Sequence, residues 1–195
     1  GAGWSGRGVA PPQGRPAVMT QRPAQSVRLG VTVAGRRLVA VGERGIVVYS
    51  DDTGRTWRQA SVPVSVTLTA VQFPTARQGW AVGHYGVVIH SDDGGETWTL
   101  PANGAAVSNT ATLFADKPYL TADHRPGVVY VSWTEYGVLN CDLNQAVNST
   151  IKVIRSVDGG ATWSAAIPLA PGCVQGSIPA VGADGAVYVA WFDCN

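Results

Sequence analysis

No stretch of this 195-residue sequence approaches the roughly 18–20 consecutive apolar residues that cross a bilayer as a helix, so no transmembrane segment is expected. Acidic residues are absent from positions 1–42, which hold six arginines: Arg7, Arg15, Arg22, Arg28, Arg36 and Arg37. The formal net charge of +1 therefore conceals −5 over the remaining chain. Such a basic arm reads either as a contact for an anionic surface or as a processed targeting remnant or linker, and the second reading is preferred. Methionine occurs once, at Met19, and the chain opens on Gly1, which reads as a processed, excised or engineered start. There are only three cysteines, with no CxxC or Cys/His spacing to hold zinc, so no metal is expected. HExxH, Ser-His-Asp and P-loop signatures are missing too, and with them the metalloprotease, serine-hydrolase and nucleotide readings. No cofactor and no nucleic-acid partner are expected.

What the chain does have is glycine (24), proline (12) and tryptophan (7) in a 45% apolar background, the mixture of many short strands joined by turns. It also repeats. Residues 40–57, AVGERGIVVYSDDTGRTW, align without gaps on residues 81–98, AVGHYGVVIHSDDGGETW, at an offset of 41 with 11 identities in 18 positions. A third copy of the ending, SVDGGATW, spans 156–163. A second repeat, offset by 58, matches GVVYVSW (127–133) with GAVYVAW (185–191). Each unit shows the same order: an apolar strand such as 68–73, a second such as 79–83, a third such as 87–90, then the S-x-D-x-G-x-T-W turn and a fourth strand beginning at its tryptophan. Runs such as Leu38-Val39-Ala40-Val41 are apolar on both faces, so the sheets are expected to be covered on both sides, as stacked propeller blades are.

The turn residues have physical reasons to recur. Ser50, Ser91 and Ser156 open the turns. Asp52, Asp93 and Asp158 can accept backbone N–H bonds across them. Gly54, Gly95 and Gly160 supply backbone freedom. Thr56, Thr97 and Thr162 re-enter extended structure, and Trp57, Trp98 and Trp163 bury a large ring between blades. These turns resemble the Asp-box (BNR-repeat) signature shared by sialidases and many non-enzymatic propellers. That resemblance implies an all-β propeller of four-stranded antiparallel blades in which the boxes are structural. Residues 27–98 resemble the photosystem II assembly/stability-factor family and its bacterial relatives, whereas residues 116–192 resemble secreted sialidase-like BNR proteins. About three and a half blades are expected in residues 26–195: 26–61, 65–100, 114–168 and a half blade at 175–194, after a basic Gly/Pro-rich arm or linker at 1–25. The join between the two resemblances falls at Pro101–Leu113, and either a natural mosaic or an engineered fusion would produce it. The strand at 186–191 would be left as an apolar edge, to be completed by residues 1–25, by self-association with another chain, or by residues missing from a fragment.

Antiparallel order puts the turn between strands 2 and 3 at the end of each blade opposite its Asp-box. That face gathers Glu43, Arg44, His84, Tyr85, Glu135 and Tyr136 with the long loop 138–150, and these are the ligand-face candidates for a protein or glycan. Sialidase chemistry would need an arginine cluster for the substrate carboxylate and a Tyr nucleophile beside a carboxylate. Arg44 is the one arginine in a strand 2–3 turn, Arg125 belongs to the Asp-box face, and Ser177 stands where the sialidase family places Arg before Ile178-Pro179. Glu135 and Tyr136, as neighbours on a strand, point to opposite faces. No catalytic residue is assigned. A non-enzymatic binding or assembly scaffold is expected, with a sialidase-like glycoside hydrolase and a designed or truncated propeller without an evolved ligand as alternatives.

A disulfide is expected at Cys173, with Cys141 as the first partner and Cys194 as the alternative, since all three fall on the strand 2–3 side. A bridge requires an oxidising compartment, hence an expected secreted or periplasmic location. Asn148-Ser149-Thr150 is a glycosylation sequon of consequence only in a eukaryotic secretory pathway.

Overall fold

The structure, a computed structural model, describes residues 14–101, 113–137 and 149–194. The segment 102–112 at the expected join, the loop 138–148 with Cys141 and Asn148, and the first 13 residues of the basic arm lie outside the described residues. Among the described residues the regular structure is β-strand and short 3-10 turns, with no α-helix and no helix long and apolar enough to cross a membrane.

Among the described residues, thirteen strands form four antiparallel sheets, each in sequential order. The first blade is β1 (Arg28–Ala34), β2 (Arg37–Gly42), β3 (Val47–Ser50) and β4 (Arg58–Gln59). The second is β5 (Leu68–Gln72), β6 (Gly79–Gly83) and β7 (Val87–Ser91). The third is β8 (Leu113–Ala122), β9 (Val129–Gly137), β10 (Ser149–Ser156) and β11 (Ile167–Gly172). A two-stranded sheet follows, β12 (Val174–Val181) with β13 (Val187–Asp193). This is the β-propeller layout of three blades and a half blade. The fourth strand of the second blade has shrunk to bridges: Thr99 pairs with His90, and Thr97 with Ser61 of the preceding linker. Nor does a fourth strand begin at its tryptophan, since β4 starts one residue after Trp57 and β11 four residues after Trp163. At the second box the Trp98 backbone N–H is taken by the Ser61 carbonyl of the linker at 2.9 Å.

Both faces of the inner blades are buried, for the reason that the doubly apolar runs suggested. Val39, Val41, Val47 and Tyr49 of the first blade pack with Leu68, Val71, Ala81, Ile89 and Trp98 of the second. The opposite face of the second blade (Ala70, Trp80, Val82, Val88) packs on Leu120, Val129, Val131, Trp133 and Ile154 of the third. The contact from the third blade to the half blade is polar. Ser177 donates to Ser132 at 3.0 Å, the Gly176 N–H to Thr134 Oγ1 at 3.0 Å, and Ser149 Oγ to the Val174 carbonyl at 2.6 Å. All four hydroxyl residues are buried, so these bonds must be made for the half blade to dock.

The arm is not a free linker over its described part. Ala17 N–H donates to the Val62 carbonyl at 3.0 Å, Gln59 holds the Val18 carbonyl and the Thr20 N–H at 3.0 and 2.9 Å, and Ala17 packs on the first core. Residues 17–20 therefore lie along the first blade and do not complete the edge at β13.

The three Asp-boxes share one geometry. In each, the serine hydroxyl donates to the aspartate (2.7–2.9 Å) and accepts the glycine N–H of Gly54, Gly95 or Gly160 (2.7–2.9 Å). The aspartate also accepts the threonine N–H (2.9–3.0 Å) and hydroxyl (2.5 Å). Each tryptophan Nε1 donates to the carbonyl of the same glycine at 3.0–3.1 Å. Thr162 and Ser156 hold the Asp158 carboxyl at about 2, and Thr56 and Ser50 hold Asp52 below the usual carboxylate range. For Asp93 burial acts upward, but the bonds from Thr97, Ser91 and Glu96 outweigh it and the value is lowered. A further bond crosses between blades: Trp80 Nε1 donates to the Gly159 carbonyl of the third box at 3.2 Å.

Candidate functional site

The first strand of every sheet carries one extra residue. The pairing registers slip between Arg28 and Gly30 in β1, Leu68 and Ala70 in β5, Asp116 and Tyr119 in β8, and Gln175 and Ile178 in β12. Such bulges re-aim side chains and are frequent beside functional sites. Here they aim at one place. Leu29, Thr69, Lys117, Gly176 and Ser177, all within the bulges, line a cavity of about 300 Å³ together with Tyr119 and Ile178.

The bulge in β8 is the most strained. Lys117 sits at φ 48°, in the left-handed region that a residue with a Cβ rarely occupies. Pro118 follows it and has no N–H for the ladder, which favours a bulge at that point. The Pro118 carbonyl is fixed by Thr69 Oγ1 of the second blade at 2.6 Å. Lys117 Nζ is thereby held 2.7 Å from Asp116 and 3.5 Å from Gln175 Oε1.

The strand 2–3 turn of the second blade meets this bulge. His84 N–H donates to the Thr67 carbonyl at 3.0 Å, as Glu43 N–H does to Val27 at 3.2 Å in the first blade. His84 Nδ1 lies 3.3 Å from Asp116 Oδ1. Tyr85, at φ 61° and exposed, sets its ring edge-to-face with Phe114, centroids 5.8 Å apart. Tyr136 completes the group from β9, its hydroxyl 3.5 Å from Gln175 Oε1. Burial, with Asp116 nearby, pushes the Tyr136 phenol up although Lys117 acts downward, so at neutral pH it is a protonated hydroxyl and a hydrogen-bond donor. The Asp116 hydrogen bond raises Lys117, which is a fixed cation. Two aromatic rings, a cation, a phenol and an amide thus converge on one rim from three sheets. Such a surface can grip a peptide by its carbonyls and apolar side chains; it offers no activated nucleophile.

Of the six ligand-face candidates, His84, Tyr85 and Tyr136 are brought together. Glu135 points to the other side of β9 and pairs with Lys152 of β10 at 2.5 Å, because successive strand residues alternate. Glu43 and Arg44 belong to a separate cavity beside the arm. Phe114, Asp116, Lys117 and Gln175 were not singled out from the sequence. The Lys117-Pro118 pair within a strand was the available signal.

The arginines do not form a clamp. Arg44 is exposed on the first blade's turn, and Arg125 is bound to Asp123, its Nε donating at 3.0 Å. That bond leads the causes holding the Asp123 carboxyl at about 2. Ser177 is buried against Ser132. No group of His, Cys, Asp and Glu able to hold a metal is present among the described residues. The cysteine order differs from the expectation. Cys173 is bonded to Cys194, with Cα atoms 5.4 Å apart, and Cys141, the partner expected first, lies outside the described residues. The β12–β13 pairing causes this. The bridge flanks the Val174–Asp193 pair, and Cys194 N–H donates to the Cys173 carbonyl at 2.9 Å.

Residues 24–115 match the family model described as "Photosynthesis system II assembly factor YCF48". No curated protein sequence matches the chain. Among solved structures, YCF48 bound to D1 peptide aligns with a TM-score of 0.50 at 19% identity, covering 72% of this chain and 40% of that one. The GH74 enzyme of Niastella koreensis aligns with a TM-score of 0.56 at 17% identity, over 84% of this chain and 26% of that one. An ancestral GH74 enzyme gives 0.53 at 13% identity, over 86% and 27%. The chain thus spans about two fifths of the YCF48 structure and about a quarter of the GH74 structures, and at these identities the likeness is one of fold. Taken with the three boxes and the stacked antiparallel sheets, these matches make the chain an Asp-box (BNR-type) β-propeller that is similar, over residues 24–115, to the photosystem II assembly-factor family.

Proposed function

We propose that this protein is a non-enzymatic, extracytoplasmic assembly scaffold that binds a peptide segment of a protein partner at the rim formed by His84, Tyr85, Phe114, Lys117, Tyr136 and Gln175. The observation that carries the reading is the convergence of aromatic and hydrogen-bonding groups from three sheets on one bulged, strained rim. The family match over residues 24–115 supports an assembly role, and the related YCF48 structure holds a D1 peptide. The Cys173–Cys194 bridge supports the location, since such bonds persist in oxidising compartments.

A labelled D1 peptide titrated into the chain by fluorescence anisotropy tests the partner class. Tyr85→Asn keeps a residue that tolerates left-handed φ and removes the ring, and should weaken binding about tenfold, the worth of one aromatic anchor. Saturable binding that is indifferent to both Tyr85→Asn and Lys117→Gln would refute this rim.

A further inference from the structure

We propose a second binding site, between the basic arm and the first blade, that takes an acidic peptide segment of a partner protein. The arm is tied down at both ends. Gln59 and Val62 hold residues 17–20, and at the other end Val27 exchanges bonds with Glu43, N–H to Oε1 at 3.1 Å and carbonyl to N–H at 3.2 Å. Arg28 braces the span from within, its guanidinium donating to the carbonyls of Pro23, Ser26 and Val27. Between the two anchors is a cavity of about 880 Å³.

Three guanidiniums line it: Arg15 and Arg22 from the arm, Arg44 from the strand 2–3 turn. None of the three makes an ion pair among the described residues. The one acidic lining residue, Glu43, is already accepting the Val27 N–H. Arg44 cannot swing away with its turn. It is held at φ 56°, and the Gly45 behind it lies so close to the Val64 carbonyl that a Cβ there would meet the oxygen at 2.1 Å. An excess of cationic forks over a half-apolar wall suits carboxylates flanking an apolar side chain, because guanidinium forks bind carboxylates bidentately. Met19 and Ile46 supply the apolar wall. The concave shape favours a peptide over a flat lipid surface. Arg15 and Arg22 precede the residues that match the family model, so the site is largely built from outside that match. It shares no residue with the His84–Tyr136 rim.

The test uses a fluorescein-labelled Glu-Glu-Leu-Glu-Glu peptide, its Lys-Lys-Leu-Lys-Lys counterpart and phosphatidylserine vesicles, each titrated into the full chain at low and high salt. The expected result is one-to-one binding of the acidic peptide alone, weakening with salt. Arg44→Gln and Arg22→Gln should each weaken it about tenfold or more, the worth of one charge-assisted bond. Arg55→Gln on the Asp-box turn and Tyr85→Asn on the rim should leave it unchanged. Because the Arg22 and Arg44 side chains make no ion pair among the described residues, their variants should melt with wild type, which separates loss of binding from loss of fold. Absence of peptide binding, equal losses for Arg55→Gln and Arg44→Gln, or arginine-dependent binding to the vesicles in place of the peptide would each overturn the proposal. Loss at the rim with Tyr85→Asn alone would leave this site standing, so the two failures are distinguishable.

Discussion

Replacing Asp93 by alanine removes the acceptor on which the second Asp-box closes. Its Oδ1 takes bonds from Ser91 Oγ at 2.9 Å and from the Glu96 and Thr97 N–H groups at 3.0 Å, and its Oδ2 takes the Thr97 hydroxyl at 2.5 Å. The four bonds are not equal. Glu96 and Thr97 are exposed, so water replaces the aspartate there at small cost. Ser91 is buried, and its hydroxyl proton would lose its acceptor while its oxygen still holds the Gly95 N–H. One buried orphan donor plus a loosened turn costs about 2–3 kcal/mol. At about 2–4 °C per kcal/mol for a chain of this size, the melting temperature should fall by about 5–10 °C. The carboxylate also sets the pH dependence. Its folded pKa is lowered, so its contribution is complete above the unfolded value of 3.8 and is lost as pH falls through the folded value. Asp158, at about 2, and Asp52 behave alike. Thermal melts followed by circular dichroism should therefore show wild type losing stability between about pH 4 and pH 2, and Asp93→Ala losing less over that window. A cooperative melt within 1 °C of wild type at pH 7 (roughly the assay's resolution), or an acid slope identical to wild type, would refute the assignment of this turn as a structural lock.

Further outcomes follow from the same geometry. Gly160→Ala should destabilise more than Gly176→Ala in parallel melts: both have positive φ, but a Cβ at Gly160 would meet Trp80 Nε1 at 2.7 Å whereas at Gly176 it meets open space. Cys194→Ser should loosen β12–β13 by about 3 kcal/mol in the chain-entropy account, and hydrogen exchange should show the loss confined to residues 174–193. Trp80→Phe should cost about 1 kcal/mol through the lost bond to Gly159, read as a lower denaturation midpoint with an unchanged slope. A fluorogenic sialoside should not be turned over, since Arg44 and Arg125 lie apart and Glu135 is paired with Lys152; turnover abolished by Tyr136→Phe would reverse that expectation.

The sequence by itself determined the blade. The box S-x-D-x-G-x-T-W encodes its own hydrogen bonds within a few residues, and a run such as Leu38–Val41, apolar on both faces, requires a neighbour on each side. Local chemistry and period suffice for such elements, and so they also suffice for the separation of Glu135 from Tyr136. What tertiary structure decided were the meetings between distant strands. Lys117 reaches Gln175 only because β8 and β12 both bulge beside one cavity, and a bulge is a register event that no single strand announces. Cys173 pairs with Cys194 because the hairpin register sets the two termini opposite each other, whereas loop position alone put all three cysteines on one side and favoured Cys141 as the partner. The arm's path along Gln59 and Val62 was likewise unreadable, because its anchors are backbone groups and one glutamine amide, which leave no periodic trace in the side chains.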